Sequence, residues 1–186
     1  MIDSKLPALG QNFRFGFYDI SPKRRMRAIK EAGFDDVMIH WDEDCFVHQD
    51  GSPEELFEEA CRLGLSVKTC HFPQQMTNSL WLEGLDGDEF LKELIRTLGL
   101  LSERKVKNLV VHVDKGTIYP RPSQIGLDRV KRALEAAEKG EITVAFENVR
   151  SPEHLSFIYD NISSKSLGFC YDCGHAACFM PNCNPL

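Results

Sequence analysis

Apolar residues follow two alternating patterns along the chain. Short apolar, β-branched runs typical of strands alternate with longer segments in which apolar residues recur every three or four positions, as in amphipathic helices. Three of the five predicted helices begin with a Ser-Pro pair, at Ser21, Ser52 and Ser151, where serine can cap the helix and proline fits its first turn. Predicted strands cover Phe13–Asp19, Asp36–Trp41, Leu65–His71, Val106–Val113, Ile142–Val149 and Leu167–Asp172.

This alternation predicts an α/β fold in which helices cover a parallel sheet. Two architectures fit the pattern. One is an open, doubly wound sheet, and the other is a (β/α)8 barrel of the TIM type, which has eight units when complete. The chain would supply about six parallel strands and five helices of such a barrel, with no helix expected after the sixth strand.

Length and charge narrow the class of protein. At roughly 150 residues per domain, 186 residues predict a single domain spanning 1–186. The net charge of −6 gives no overall basic field for nucleic acid. No apolar run approaches the ~20 residues of a membrane span, and no export signal is recognisable at the start, so a cytoplasmic protein without membrane partners is expected.

Polar residues stand where five consecutive predicted strands end. The carboxyl ends of parallel strands share one edge of a sheet or barrel, which is where active sites of these folds lie. Carboxylates inside apolar strands, such as Glu147 and Asp172, are costly unless they are paired or bind a metal. Imidazole and carboxylate together suit Zn²⁺, Mn²⁺ or a similar divalent ion. The residues at these ends are His40 and Trp41, His71, His112, Glu147, and Asp172 with His175 three positions further on.

The C-terminal cysteines offer a competing interpretation. The spacing Cys170-x-x-Cys173-x-His175-x-x-Cys178 resembles a structural zinc knot, and Cys-x-x-Cys is also found in redox pairs. Neighbouring positions on a strand point to opposite faces, however, which disfavours one shared site. We therefore expect Cys170, Cys173, Cys178 and Cys183 to be thiols that pack as small apolar side chains.

Several segments resemble the xylose isomerase-like TIM barrel superfamily: FGFYD, MIHW, KTCHFP, LVVHV, FENV and, above all, GFCYDCGHA. This superfamily contains isomerases and epimerases of sugars and sugar phosphates, and also zinc-dependent apurinic endonucleases. The resemblance implies a metal-dependent isomerase or epimerase that moves a proton next to a carbonyl, through an enediolate. It leaves open whether the ion is Mn²⁺, Mg²⁺, Co²⁺ or Zn²⁺ and whether the substrate is a sugar or a sugar phosphate.

The resemblance also implies roles for individual residues. Glu147 matches a glutamate that binds the metal and moves the proton, and Asp172 matches a metal-binding aspartate. His175 matches a histidine that contacts substrate in the epimerases and binds zinc in the endonucleases. Substrate contacts are implied for His40, Trp41, His71, His112 and His175.

Two alternatives and one departure from the family pattern remain. An apurinic endonuclease needs positive charge at the rim, whereas the predicted rim loops carry Asp42, Glu43, Asp44, Glu83, Asp86 and Asp88. A barrel that binds a polyol or a partner without turnover is the other alternative.

The family also takes a histidine and a second catalytic glutamate from strands seven and eight, which this sequence does not contain. We therefore expect incomplete catalysis from this chain alone and self-association through open strand edges.

Overall fold

A computed structural model describes residues 9–14, 20–41 and 51–179. The chain divides into two compact units, residues 1–71 and 72–186. Every strand pair within the two units is parallel, and strands alternate with helices, as the sequence pattern predicts for an α/β fold. Within these described residues, no helix is both long and apolar enough to cross a membrane.

The first unit contains three strands in chain order, with β2 pairing with both β1 and β3. Gly10 lies opposite Asp36 in the first pair, and His40 lies opposite His71 in the second. Its elements are β1 (Gly10–Asn12), α1 (Pro22–Glu31), β2 (Asp36–His40), α2 (Pro53–Arg62) and β3 (Thr69–His71).

The second unit repeats this order with β5 between β4 and β6. A short 3₁₀ helix at Thr77–Trp81 precedes the first long helix. The elements are α3 (Leu85–Glu103), β4 (Asn108–His112), α4 (Gln124–Gly140), β5 (Thr143–Glu147), α5 (Pro152–Asn161), β6 (Leu167–Cys170) and α6 (Cys173–Phe179).

Serine caps start three of these helices through side-chain hydrogen bonds. Ser52 and Glu55 form a reciprocal capping box at α2, in which each side chain accepts a hydrogen bond from the other residue's backbone N–H. Ser151 accepts from the N–H of His154, and Ser123 accepts from the N–H of Gly126. Ser21 precedes the proline that starts α1 but makes no side-chain cap bond. The Ser-Pro pairs therefore mark all three predicted helix starts.

The elements differ from the sequence prediction in their bounds and in the number of helices. The first strand covers Gly10–Asn12, while Phe13 and Arg14 form a turn and residues 15–19 lie outside the described part of the chain. The apolar spacing of the sequence predicts a helix from about Asp88, whereas α3 begins three residues earlier, at Leu85. The described residues contain six helices rather than five, since α6 follows the last strand directly.

The central strands of the second unit explain how polar side chains come to lie at one edge. The four residues from Leu109 to His112 and those from Val144 to Glu147 are all buried. Both strands run through apolar residues and end on a polar one, and the register sets His112 opposite Glu147. Glu147 in turn lies opposite Cys170 of β6. The parallel register thus gathers the strand-end residues that the sequence singles out.

Candidate active site

Glu147 is the central carboxylate of the candidate site. It ends β5 and is only 5% exposed, so its charge requires partners. One of its oxygens, Oε2, lies 2.8 Å from Nε2 of His112, which is also buried. The other oxygen, Oε1, lies 3.4 Å from Nδ1 of His175. Glu147 therefore faces an imidazole at each of its two oxygens.

Asp172 and His175 complete a cluster that could hold a cation. Oδ1 of Asp172 accepts a hydrogen bond from the backbone N–H of His175 at 2.6 Å, which fixes the first turn of α6. Its Oδ2 lies 4.0 Å from His175 Nδ1. One potential ligand atom each from Glu147, Asp172 and His175 lie within 4.8 Å of one another.

The donor set fits a divalent metal ion. Two carboxylates and one imidazole match the ligand preferences of Zn²⁺ and Mn²⁺. Nδ1 of His175 is buried and makes no hydrogen bond to any residue that the structure describes, so its lone pair can be offered to a cation. The argument for a metal ion therefore rests on Nδ1 of His175, a buried nitrogen without a hydrogen bond that lies near the carboxylates of Glu147 and Asp172.

Cys170 lies beside this cluster, opposite Glu147 on the neighbouring strand. Burial raises the pKa of the Cys170 thiol to about 11, and the charges of Glu147 and Asp172 add to the effect. Cys170 is therefore a neutral thiol near pH 7. The same field that disfavours a thiolate favours a bound cation.

The remaining cysteines partly contradict the sequence expectation. Cys173 and Cys178 are exposed thiols and do not pack as buried apolar side chains. Both residues belong to helix α6, which the sequence did not predict. Among residues 9–14, 20–41 and 51–179, the cluster around Asp172 and His175 contains no cysteine, and Cys183 lies outside this range.

Three of the predicted substrate residues, His40, Trp41 and His71, belong to the first unit and contact one another. The rings of His40 and His71 stack with centroids 4.7 Å apart and planes 15° from parallel. His71 is buried, and its carbonyl accepts a hydrogen bond from the N–H of Trp41 at 2.8 Å. The Trp41 side chain is buried as well. Substrate contact by these three residues stays a prediction.

Two buried residues of the second unit, Asp114 and Asn148, hold backbone groups beyond the strand ends, and neither had a role predicted from the sequence. Asp114 follows β4, and its Oδ2 accepts hydrogen bonds from the N–H groups of Arg150 and Ser151, at 3.3 and 2.9 Å. Asn148 bonds to the backbone of Asp172 through its side-chain amide. The position of Asp114 and Asn148 in the sequence could have indicated a role, because each is a polar residue just beyond the end of a buried strand.

The fold and these residues together define a class of barrel protein. The family model described as xylose isomerase-like TIM barrel matches residues 26–182, and the chain belongs to this family. Its six strands are thus part of a (β/α)8 barrel, which confirms the fold class inferred from the sequence. A comparison with curated protein sequences finds no match.

Solved structures of similar fold include several sugar epimerases. A D-tagatose 3-epimerase-like protein aligns with a TM-score of 0.69 and 21% identity, over 91% of this chain and 66% of that one. L-ribulose 3-epimerase aligns with a TM-score of 0.70 and 17% identity, over 93% and 63%. The 3-keto-D-glucoside 4-epimerase of E. coli aligns with a TM-score of 0.66 and 19% identity, over 91% and 69%. The chain therefore spans less than two thirds of the first two proteins, and at these identities the likeness shows the fold.

Proposed function

We propose that the chain carries the metal-binding residues of a divalent-metal-dependent isomerase or epimerase that acts on a sugar or sugar phosphate. The observation that carries this proposal is the convergence of Glu147, Asp172 and His175 at the carboxyl ends of β5 and β6. Family membership and the epimerases among the structures of similar fold support the reaction class.

The metal would be held by Glu147, Asp172 and His175, with His112 against the second oxygen of Glu147. A bound divalent ion would supply the positive charge that an enediolate needs next to a carbonyl. Mn²⁺, Mg²⁺, Co²⁺ and Zn²⁺ all fit this role, and the donor set favours Mn²⁺ and Zn²⁺.

We propose a separate role in catalysis or binding for each residue of the site. Glu147 is buried with an imidazole near each of its two oxygens, so it is the group we expect to take or return the carbon-bound proton. Oδ1 of Asp172 accepts a hydrogen bond from the backbone N–H of His175 in α6, and its Oδ2 faces the His175 ring. We expect His175 to contact hydroxyl groups of the substrate. The further substrate contacts that we propose are His40, Trp41, His71 and His112.

Metal binding by the 186-residue chain is the direct test. Isothermal titration with Mn²⁺ and with Zn²⁺ should show binding close to one ion per chain. Glu147→Gln and Asp172→Asn should each weaken it by more than ~100-fold, the upper end of the loss caused by residues that merely orient a ligand. Glu93→Gln is the matched control, since Glu93 pairs with Arg96 on the surface of α3. Binding that survives both site substitutions would refute the assignment.

A second experiment separates the reaction classes. Chain loaded with Mn²⁺ and incubated with ketoses in deuterated water should incorporate deuterium at carbon, whereas an abasic DNA duplex should stay uncut. Cleavage of the duplex without exchange would favour the endonuclease alternative. Metal binding with neither reaction would favour the binding-only barrel.

A further inference from the structure

The side chain of Asn148 forms a two-point clamp on the backbone of Asp172. Its Nδ2 donates a hydrogen bond to the Asp172 carbonyl at 2.9 Å, and its Oδ1 accepts one from the Asp172 N–H at 2.6 Å. Asn148 is 3% exposed, so neither bond competes with much solvent. A primary amide that satisfies both backbone groups of one residue fixes the position of that residue along the chain.

This clamp extends the sheet beyond its last backbone pair. The β5–β6 register ends at Glu147 opposite Cys170, and the N–H of Asn148 still donates to the Cys170 carbonyl at 3.3 Å. From there the amide of Asn148 takes the place of the next peptide group. Glu147 and Asn148 are consecutive, so their side chains leave the chain in different directions. One faces the imidazoles, while the other holds the neighbouring strand end.

The residue that is held supplies two parts of the candidate metal cluster. The carboxylate of Asp172 belongs to the cluster itself, and its Oδ1 also accepts the N–H of His175 at 2.6 Å. A shift of the Asp172 backbone would therefore move a carboxylate and the first turn of the helix that carries an imidazole.

We propose that Asn148 is a positioning residue for the metal site, one that sets the distance of Asp172 and His175 from Glu147 without touching the ion. The proposal rests on the metal-binding function proposed above. Groups that orient metal ligands through hydrogen bonds typically change metal affinity 10–100-fold when they are removed.

Asn78 offers a matched control within the same unit. Its amide makes the same two-point contact with the backbone of Lys115, at 2.9 Å for each hydrogen bond. Asn78→Ala therefore removes the same pair of bonds as Asn148→Ala, but at a residue outside the cluster. Both variants should lower the melting temperature. Titrated with Mn²⁺ and Zn²⁺, only Asn148→Ala should also raise the dissociation constant, by roughly 10–100-fold.

Hydrogen exchange at the Asp172 amide tests the clamp without metal. The amide should be protected in the wild-type chain. It should exchange faster in Asn148→Asp, which keeps the accepting oxygen but sets a second oxygen against the Asp172 carbonyl, and fastest in Asn148→Ala. If Asn148→Ala does not fold, the comparison of Asn148→Asp with the wild-type chain still tests the clamp. Unchanged metal affinity in Asn148→Ala, an equal loss of affinity in Asn78→Ala, or an unprotected Asp172 amide in the wild type would overturn the inference. A wild-type chain that binds neither ion would instead overturn the proposed function, and the positioning role with it.

Discussion

A pair of glycine-to-alanine substitutions tests the packing that supports the strand ends of the second unit. Gly126 lies in the first turn of α4, directly beneath the indole of Trp81. An added Cβ would overlap Cε3 of the ring and come within 2.9 Å of Cζ3. Gly99 lies in α3 with open space around it, and no atom would lie within 4 Å of its added Cβ.

Trp81 has little freedom to move away from such a Cβ. Its ring is buried, and its Nε1 donates a hydrogen bond to the Val113 carbonyl at 2.7 Å. Its own carbonyl accepts from Ser123 Oγ at 2.6 Å. Because both ends of the residue are held, the overlap must be relieved by strain in α4 or by loss of these bonds.

The two variants should therefore change stability in opposite directions. Replacing glycine by alanine in a helix stabilises it by up to about 1 kcal/mol, which is the result expected for Gly99→Ala. Overpacking a core costs about 1–3 kcal/mol, and the overlap at Trp81 belongs at the upper end. Gly126→Ala should then lower the free energy of unfolding by about 2 kcal/mol after the helix gain is subtracted.

Urea denaturation followed by far-ultraviolet circular dichroism measures both changes. The midpoint should rise for Gly99→Ala and fall for Gly126→Ala, with slopes equal to that of the wild type. A Gly126→Ala protein at least as stable as the wild type would refute the close-packing argument. A Gly99→Ala protein as destabilised as Gly126→Ala would show that the contact with Trp81 does not set the difference.

Two further predictions concern titration and reactivity. Burial lowers the pKa of His154, against a smaller opposing effect of the Asp114 charge, so the unfolded chain takes up this proton first as the pH falls. The free energy of unfolding should therefore decline as the pH falls from about 6.5 towards the pKa of His154 in the folded chain. His154→Phe should reduce this dependence on pH, and an unchanged dependence would contradict its assignment to His154. With a pKa of about 11, Cys170 should react with iodoacetamide at pH 8 more slowly than the exposed Cys173 and Cys178, as measured by peptide mass spectrometry, and equal rates would contradict its burial.

The sequence predicted elements well where local signals and the tertiary fold agree. Ser52-Pro53 and Ser151-Pro152 start helices because serine caps and proline tolerance operate within one turn. Strand β1 was not predicted at Gly10–Asn12 because this segment has no apolar residue and is a strand through its pairing with β2. Pairing partners of this kind lie too far along the chain to be seen in a local pattern.

The candidate site was predictable to the extent that parallel strands end at one edge. That rule brought Glu147, Asp172 and His175 together, but it could not show how they are held. The Asn148 clamp depends on Asp172 lying 24 residues away at a matching height, which the register of β5 and β6 decides. Helix α6 was missed for a related reason: its seven residues are too few for an apolar period, and its first turn depends on the Asp172 carboxylate.

The ligand cluster of Glu147, Asp172 and His175 and the Asn148 clamp both lie in the second unit, since all four residues lie between 72 and 186. Glu147 is buried, and the partners described at its two oxygens are the imidazoles of His112 and His175. Two carboxylates brought this close repel one another unless a positive charge lies between them. A cation at this point would relieve that repulsion and could bind Nδ1 of His175, which makes no hydrogen bond to the described residues. Metal binding is therefore the property to measure first, because the residues it requires come from one compact part of the chain.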